Sequence, residues 1–234
     1  MSDLPVRLVS GSLEGVTLAF DLDGTLVDTA PDLMGTLNAI LADHSLPPLP
    51  LSAARSLVGK GAKAMLERGF AAAGQSLAPD QTQPLFDRFI EIYLGRIANE
   101  SRPFDGVERA LDAFAEAGAG LVVCTNKQTR LSLALLDALK LTARFKAVIG
   151  ADLAPTPKPH ASHYLTAIEA AGGTLSRSLM VGDSTADVQA ARNAGAPVVV
   201  VSFGYTDIPA ADLGGDLLID HYDELAGAVL RLLS

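Results

Sequence analysis

The stretch FDLDGTLVDTAPDL, Phe20–Leu33, continues an apolar run that begins at Gly15 and interrupts it with two carboxylates, Asp21 and Asp23, followed by Gly24. Side chains along a strand alternate between faces, so these two carboxylates leave the same face and repel one another. Either something nearby rewards that repulsion or the stretch is merely a polar loop. The rest of the chain decides between the two.

Further short apolar runs recur: GLVVCTN (120–126), AVIGAD (147–152), SLMVGDS (178–184), PVVVVSFG (197–204) and the shorter LLID (217–220). Their apolarity is continuous rather than alternating, which suits strands buried on both faces. Between them, from Asp105 onward, lie segments rich in helix formers that mostly end at glycine, such as GVERALDAFAEAG and TADVQAARNAG. This pattern predicts an α/β fold whose parallel sheet carries helices on both sides. Between the first and second strands lie about 70 residues of different character, roughly Pro31 to Arg102, far more than a crossover needs. Helical periodicity in LMGTLNAILADH, GAKAMLERGFAAAG and QPLFDRFIEIYLGRIANE marks this interval as an inserted all-helical cap. The expected division is a core of residues 1–30 and 103–234 with a cap of residues 31–102.

Composition narrows the function. The chain has 234 residues, 49% of them hydrophobic, enough for a sizeable core and expected for a soluble globular protein. Its 18 basic and 27 acidic side chains leave a net charge of −9, and no dense Lys/Arg run occurs, which argues against nucleic-acid and membrane partners. Cys124 is the only cysteine, so no intrachain disulfide forms. No secretory leader is legible at the N-terminus, and no apolar run reaches the roughly 20 residues that span a bilayer. A cytoplasmic location is the expectation, with the chain acting as a monomer or homodimer.

In an open parallel sheet, ligands bind beyond the carboxyl ends of the strands. The unusual polar residues stand there: Asp21 and Asp23 after the first strand, Thr125 and Asn126 after the second, Lys158 after the third, and Asp183 after the fourth with Asp187 four residues on. Several carboxylates around one cleft call for a cation, and oxygen-only ligands favour Mg2+, which usually keeps room for a substrate phosphate. Lys158 and Thr125 are then placed to meet phosphate oxygens. With no Ser–His–Asp arrangement in view, Asp21 is the candidate nucleophile and Asp23 the candidate proton donor and acceptor. Gly24 lets the backbone turn closely over the site, and Gly24 and Asn126 are expected on the substrate.

Other residues have plainer readings. Asp28 and Thr29 are expected to cap the first cap helix, with Pro31 in its first turn. Asn126 and Ser184 could equally cap helices. Cys124 is expected in the core, and the four histidines have no zinc-ligand spacing. GKGAKA (59–64) fits a loose dinucleotide-binding pattern but lacks a preceding strand. It reads instead as a cap loop entering a helix, where Arg55 and Lys60 would meet a substrate carboxylate.

Four motifs in order carry a resemblance: DLDGTLVD (21–28), VVCTN (122–126), the lysine of TPKPH (Lys158) and GDSTAD (182–187). The chain resembles haloacid dehalogenase (HAD) superfamily phosphatases, whose fold is a Rossmann-like three-layer parallel-sheet core with an inserted helical cap. The resemblance implies Asp21 as nucleophile, Asp23 as general acid and base, Thr125 and Lys158 on phosphate, and Mg2+ held by Asp21, the Asp23 carbonyl and Asp183, with Asp187 in support. A second aspartate in the first motif implies phosphoryl transfer rather than dehalogenation. The segments DTAPDL, RSLVGKGA, RPFDGV, TNK, KPH and VSFGY are similar to the phosphoglycolate phosphatase group, although Lys60 stands where many relatives carry a small polar residue. The implied substrate is a small phosphate ester, with 2-phosphoglycolate, split to glycolate and phosphate, as the first expectation. Hydrolysis of another such ester, a phosphomutase, and a receiver-like phospho-aspartate switch are the alternatives.

Overall fold

The computed structural model describes residues 8–59 and 61–233. The chain opens with β1 (Thr17–Phe20) and the two-residue strand β2 (Val27–Asp28). Then come four helices: α1 (Ala30–Asp43), the single turn α2 (Ala54–Leu57), α3 (Ala62–Ala72) and α4 (Pro79–Leu94). The chain continues through β3 (Arg102–Pro103), α5 (Val107–Glu116), β4 (Gly120–Cys124), α6 (Thr129–Ala138) and β5 (Ala147–Ile149). It closes with α7 (Ala161–Ala170), β6 (Ser178–Gly182), α8 (Thr185–Ala194), β7 (Val198–Val201), β8 (Leu217–Ile219) and α9 (Leu225–Leu233).

Six strands form one parallel sheet in the order β5-β4-β1-β6-β7-β8. The chain builds leftward from β1 to β4 and β5, then returns to the right of β1 with β6. The topological switch therefore lies between β1 and β6, where loops diverge and leave a crevice. Strand alternation divides the core. Leu18, Phe20, Leu121, Val123, Leu179 and Val181 pack towards α5, α6 and α9, whereas Ala19, Val122, Cys124, Met180 and Val198 pack towards α7 and α8. Small Ala19 on one side and large Phe20 on the other show why the strand reads as continuously apolar: both faces are dry.

Helices α1 to α4 bury a separate apolar cluster that includes Leu37, Ile40, Leu41, Leu66, Phe70, Phe89 and Tyr93. Leu131 and Tyr205 join that cluster from the sheet-bearing part. The chain enters and leaves the helical segment through the antiparallel ribbon β2–β3, pairing Val27 with Pro103 and Asp28 with Arg102. Two-residue strands have no periodicity, which is why this ribbon is invisible in the sequence. Beside it, the buried Asp32 accepts hydrogen bonds from the N–H groups of Glu100 (2.9 Å) and Ser101 (2.8 Å) and from the Ser101 hydroxyl (2.7 Å). The two crossings of the neck are thus tied by one carboxylate.

The expected capping of α1 is corrected. Neither Asp28 nor Thr29 caps it; the Thr29 hydroxyl has no hydrogen-bond partner among the described residues. Instead, Tyr205, from the loop after β7, donates its hydroxyl proton to Asp28 and accepts the Ala30 N–H at 2.9 Å. A tertiary contact has taken the role that a local side chain usually fills. Among the described residues, no helix is long and apolar enough to cross a membrane.

Candidate active site

The segment after β1 folds back on itself at once. Leu22 O accepts the N–H groups of Leu26 (3.1 Å) and Val27 (3.0 Å), and Gly24 N–H donates to Val27 O at 2.9 Å. Gly24 adopts φ +87°, and a Cβ there would lie 2.5 Å from Asp183 Oδ2 and 2.8 Å from the Tyr205 ring. Glycine is therefore required both by backbone conformation and by the approach of two other strands' loops.

This turn separates the two carboxylates that share a strand face by sequence. Asp21, held in line by its N–H on Val181 O (2.9 Å), lies 2.9 Å from Lys158 Nζ. Asp23 instead pairs with Lys127, whose Nζ donates at 2.8 and 3.1 Å to its two oxygens. The repulsion posed by the sequence is thus relieved by two separate lysines.

Asp183 ends β6 beside Asp21. It accepts from the Thr25 hydroxyl at 2.9 Å and from Tyr205 N–H at 2.6 Å. Asp187, on the first turn of α8, accepts from Lys158 Nζ at 2.6 Å and from the N–H and hydroxyl of Ser184 at 3.0 and 2.6 Å. Asp21, Asp183 and Asp187 are buried and can bring one carboxylate oxygen each within 4.8 Å of one another. Burial raises the Asp21 pKa to about 6, with Lys158 opposing and Asp187 adding to the rise. Asp183 is pushed up by burial and then by Asp21 and Asp187. Carboxylates held this way, with Asp21 Oδ1 lacking any aligned hydrogen bond among the described residues, offer an all-oxygen donor set that suits a hard cation. Asp23's carboxylate stands outside this cluster, which leaves only its carbonyl for the metal role expected of it.

Lys158 gathers the site. Its Nζ also donates to Cys124 O at 2.7 Å, and Asp187 and Asp21 raise its pKa despite the opposing effect of burial. Its backbone is gripped from two sides: Asn126 bonds both the N–H and the carbonyl at 3.0 Å, and His163 Nδ1 accepts the N–H at 3.1 Å. Since Nδ1 accepts, Nε2–H donates to Ile149 O at 3.1 Å. Burial and the Lys158 charge drive the His163 pKa down to about 4, so it is a neutral positioning group. Asn126, expected on the substrate, has its amide committed to the Lys158 loop. Thr125, buried at the end of β4, accepts Lys127 N–H at 3.2 Å through its hydroxyl oxygen, which leaves the hydroxyl proton to be donated elsewhere. Cys124 is buried with its thiol pushed up to about 12 by burial, as a core residue should be.

Above these residues, a cavity of about 270 Å3 opens between the sheet's edge and the helical segment. Asp21, Asp23, Thr125, Asn126 and Lys127 line its floor, while Leu57, Met65, Phe86, Phe89 and Tyr93 line its roof. Arg55 is exposed and lines a neighbouring cavity of about 440 Å3 with Lys158, Ser184 and Tyr205, which shares Val58, Gly59 and Asn126 with the first. The loop GKGAKA does enter helix α3 at Gly61, as expected; Lys60 lies outside the described residues.

A family model described as haloacid dehalogenase-like hydrolase matches residues 18–201. The chain belongs to the haloacid dehalogenase-like hydrolase family. Among its relatives, a phosphoglycolate phosphatase of Caulobacter vibrioides is 58% identical, covering 95% of this chain and 94% of that protein. An N-acetylmuramic acid 6-phosphate phosphatase of Pseudomonas aeruginosa is 36% identical over 92% of this chain and 94% of its own. A solved structure titled as a predicted phosphoglycolate phosphatase from Haemophilus somnus superposes with a TM-score of 0.85 at 30% identity, covering 91% of this chain and 96% of that one. The α/β architecture and the HAD-like core expected from the four motifs are therefore established. Lys127, Tyr93, Thr25, His163 and Tyr205 were not singled out by the sequence. TNK and VSFGY contain two of them, but nothing local says what either side chain touches.

Proposed function

We propose that this protein is a Mg2+-dependent phosphatase that hydrolyses a small organic phosphate monoester through an aspartyl-phosphate, with 2-phosphoglycolate as its substrate. One observation carries the reading: a buried aspartate ion-paired to a lysine lines a cavity beside two further buried carboxylates. The relative at 58% identity, named phosphoglycolate phosphatase, supports the choice of ester.

Asp21, Asp183 and Asp187, together with the Asp23 carbonyl, would hold Mg2+. Bound there, the ion neutralises the carboxylates and the phosphate oxygens they would otherwise repel. A carboxylate oxygen of Asp21 attacks phosphorus as the bond to the ester oxygen breaks, and Asp23, as the general acid, passes that oxygen its proton. Water then attacks the acyl phosphate and returns a proton to Asp23, freeing phosphate and the Asp21 carboxylate. Lys158 and the Thr125 hydroxyl steady the phosphoryl oxygens throughout. Residues 31–102 act as a cap that closes over the ester and excludes water, and the core comprises residues 1–30 and 103–234. The same proposal has the protein acting in the cytoplasm on a free small molecule.

The test is phosphate release from a panel of esters with and without Mg2+, using wild type and Asp21→Asn. Many turnovers of phosphoglycolate that vanish in the variant are expected. A single stoichiometric phosphorylation would indicate a switch, isomerised sugar phosphate a mutase, and undiminished turnover by Asp21→Asn would remove the nucleophile.

A further inference from the structure

Lys127 has no place in the steps above, yet it is a buried cation on the floor of the catalytic cavity. Two of its three protons point to the oxygens of Asp23. On its other side lies the ring of Tyr93 from α4, with Nζ 4.6 Å from the centroid. The Tyr93 hydroxyl is buried and has no aligned hydrogen-bond partner among the described residues, although the ammonium is close enough to act on it electrostatically. A buried hydroxyl beside an ammonium, which can only donate, still lacks an acceptor for its own proton, a costly state unless a ligand in the cavity supplies one.

The geometry limits what such a ligand is. Asp23 faces the ester oxygen in the mechanism proposed above, and Nζ is 2.8 Å from Asp23 Oδ1. A further hydrogen bond of about 2.7 Å brings the ester oxygen within roughly 5.5 Å of Nζ. A group two bonds along the leaving moiety spans the remaining distance. Apolar Leu57, Met65, Phe89 and Leu131 line the same cavity; of its other polar side chains, Asn126 is committed to the Lys158 backbone and the exposed Lys63 to Gln83, which leaves Gln128. An anion there gains charge-assisted bonds in a largely apolar site, while a neutral group gains less.

We propose that Lys127 and the Tyr93 hydroxyl bind a carboxylate one carbon away from the ester oxygen and so select phosphorylated 2-hydroxy acids over neutral phosphate esters. The inference rests on the placement of Asp21 and Asp23 at the reacting end. Lys127 thereby takes up the task for which the sequence offers Arg55 and Lys60; Arg55 lines the neighbouring cavity with Lys158, and Lys60 lies outside the described residues.

The experiment compares 2-phosphoglycolate with 2-hydroxyethyl phosphate, which replaces the carboxylate by a hydroxymethyl group. Removing Lys127 also disturbs Asp23, lowering kcat on both esters, so the informative quantity is the ratio of their kcat/KM values. Lys127→Gln should cut the preference for phosphoglycolate by about 10- to 100-fold, with Lys127→Arg restoring part of it. Tyr93→Phe, which spares the Lys127–Asp23 pair, should cut it by about 3- to 10-fold through KM. Calorimetric binding of the two esters to Asp21→Asn, with and without Lys127→Gln, supplies a readout that needs no turnover. A binding preference that disappears with Lys127 sustains the subsite even if the wild type releases no phosphate, an outcome that would sink the phosphatase reading alone. A ratio unchanged within twofold in both Lys127→Gln and Tyr93→Phe, or equal binding of both esters to Asp21→Asn, overturns it.

Discussion

Replacing Asp32 tests whether one carboxylate holds the neck of the helical segment. Its Oδ2 accepts three hydrogen bonds of 2.7 to 2.9 Å from Glu100 and Ser101, and its Oδ1 faces Arg96 Nε at 3.4 Å. Burial would raise its pKa, but these hydrogen bonds outweigh it and hold the carboxyl below its ordinary value. Asp32→Ala strips the acceptor from two N–H groups and one hydroxyl and should cost about 3–5 kcal/mol. Asp32→Asn can keep its amide oxygen at the Oδ2 position and lose only the charge assistance. With about 0.5–1 kcal/mol lost at each of three bonds, it should cost about 2 kcal/mol. Urea unfolding read by circular dichroism measures both. Because the folded pKa is depressed, the stabilisation is present above the ordinary carboxylate range and fades as pH falls through the depressed value. The wild-type advantage over Asp32→Ala should therefore be flat at neutral pH and shrink only in acid. A loss below about 1 kcal/mol for the alanine variant, or equal losses for both, would refute the reasoning.

Two further outcomes follow from the carboxylate cluster. Mg2+ should raise the thermal midpoint, and Asp183→Asn should abolish that shift. The folded pKa of Asp21 lies near 6 without a cation, above its ordinary 3.8, so its share of metal-free stability is full below 3.8 and is lost as pH rises through 6. The Mg2+-induced shift should accordingly be larger at pH 7.5 than at pH 5, and a shift that is greatest in acid would contradict this. Gly24→Ala must move Asp183 or distort a φ of +87°, so it should destabilise by about 2–3 kcal/mol and lose the Mg2+ response. Gly195→Ala, also at positive φ but with open space around it, should lose about 1 kcal/mol and keep that response.

What was legible in the sequence was whatever depends on neighbours in the chain. Continuous apolar runs announce two-sided burial, and polar residues at their ends mark the crevice at which Asp21, Thr125, Lys158 and Asp183 meet. What the sequence leaves hidden depends on distant partners. Asp32 serves residues nearly seventy positions away, and Tyr205 reaches back across most of the chain to Asp28. Its arrival also explains the failed expectation for α1, since the Ala30 N–H is satisfied from outside. Arg55 is close in sequence to the loop entering α3, and it lines the second cavity, which meets the first at Val58, Gly59 and Asn126. Lys127, two residues past Thr125, lies in the TNK segment, but its meaning depends on Tyr93, which only the helical segment supplies.

The loop from Ser202 to Tyr205 acts as a ruler. At one point of Tyr205 the backbone N–H measures the distance to Asp183, and at the tip of the same side chain the hydroxyl measures the distance to Asp28 and Ala30. Both ends of that span are thus fixed, one on the carboxylate cluster and one at the root of α1. An inserted or deleted residue between Val201 and Tyr205 cannot satisfy both, whereas the exposed turn just beyond, around Ile208, has freedom to vary in length.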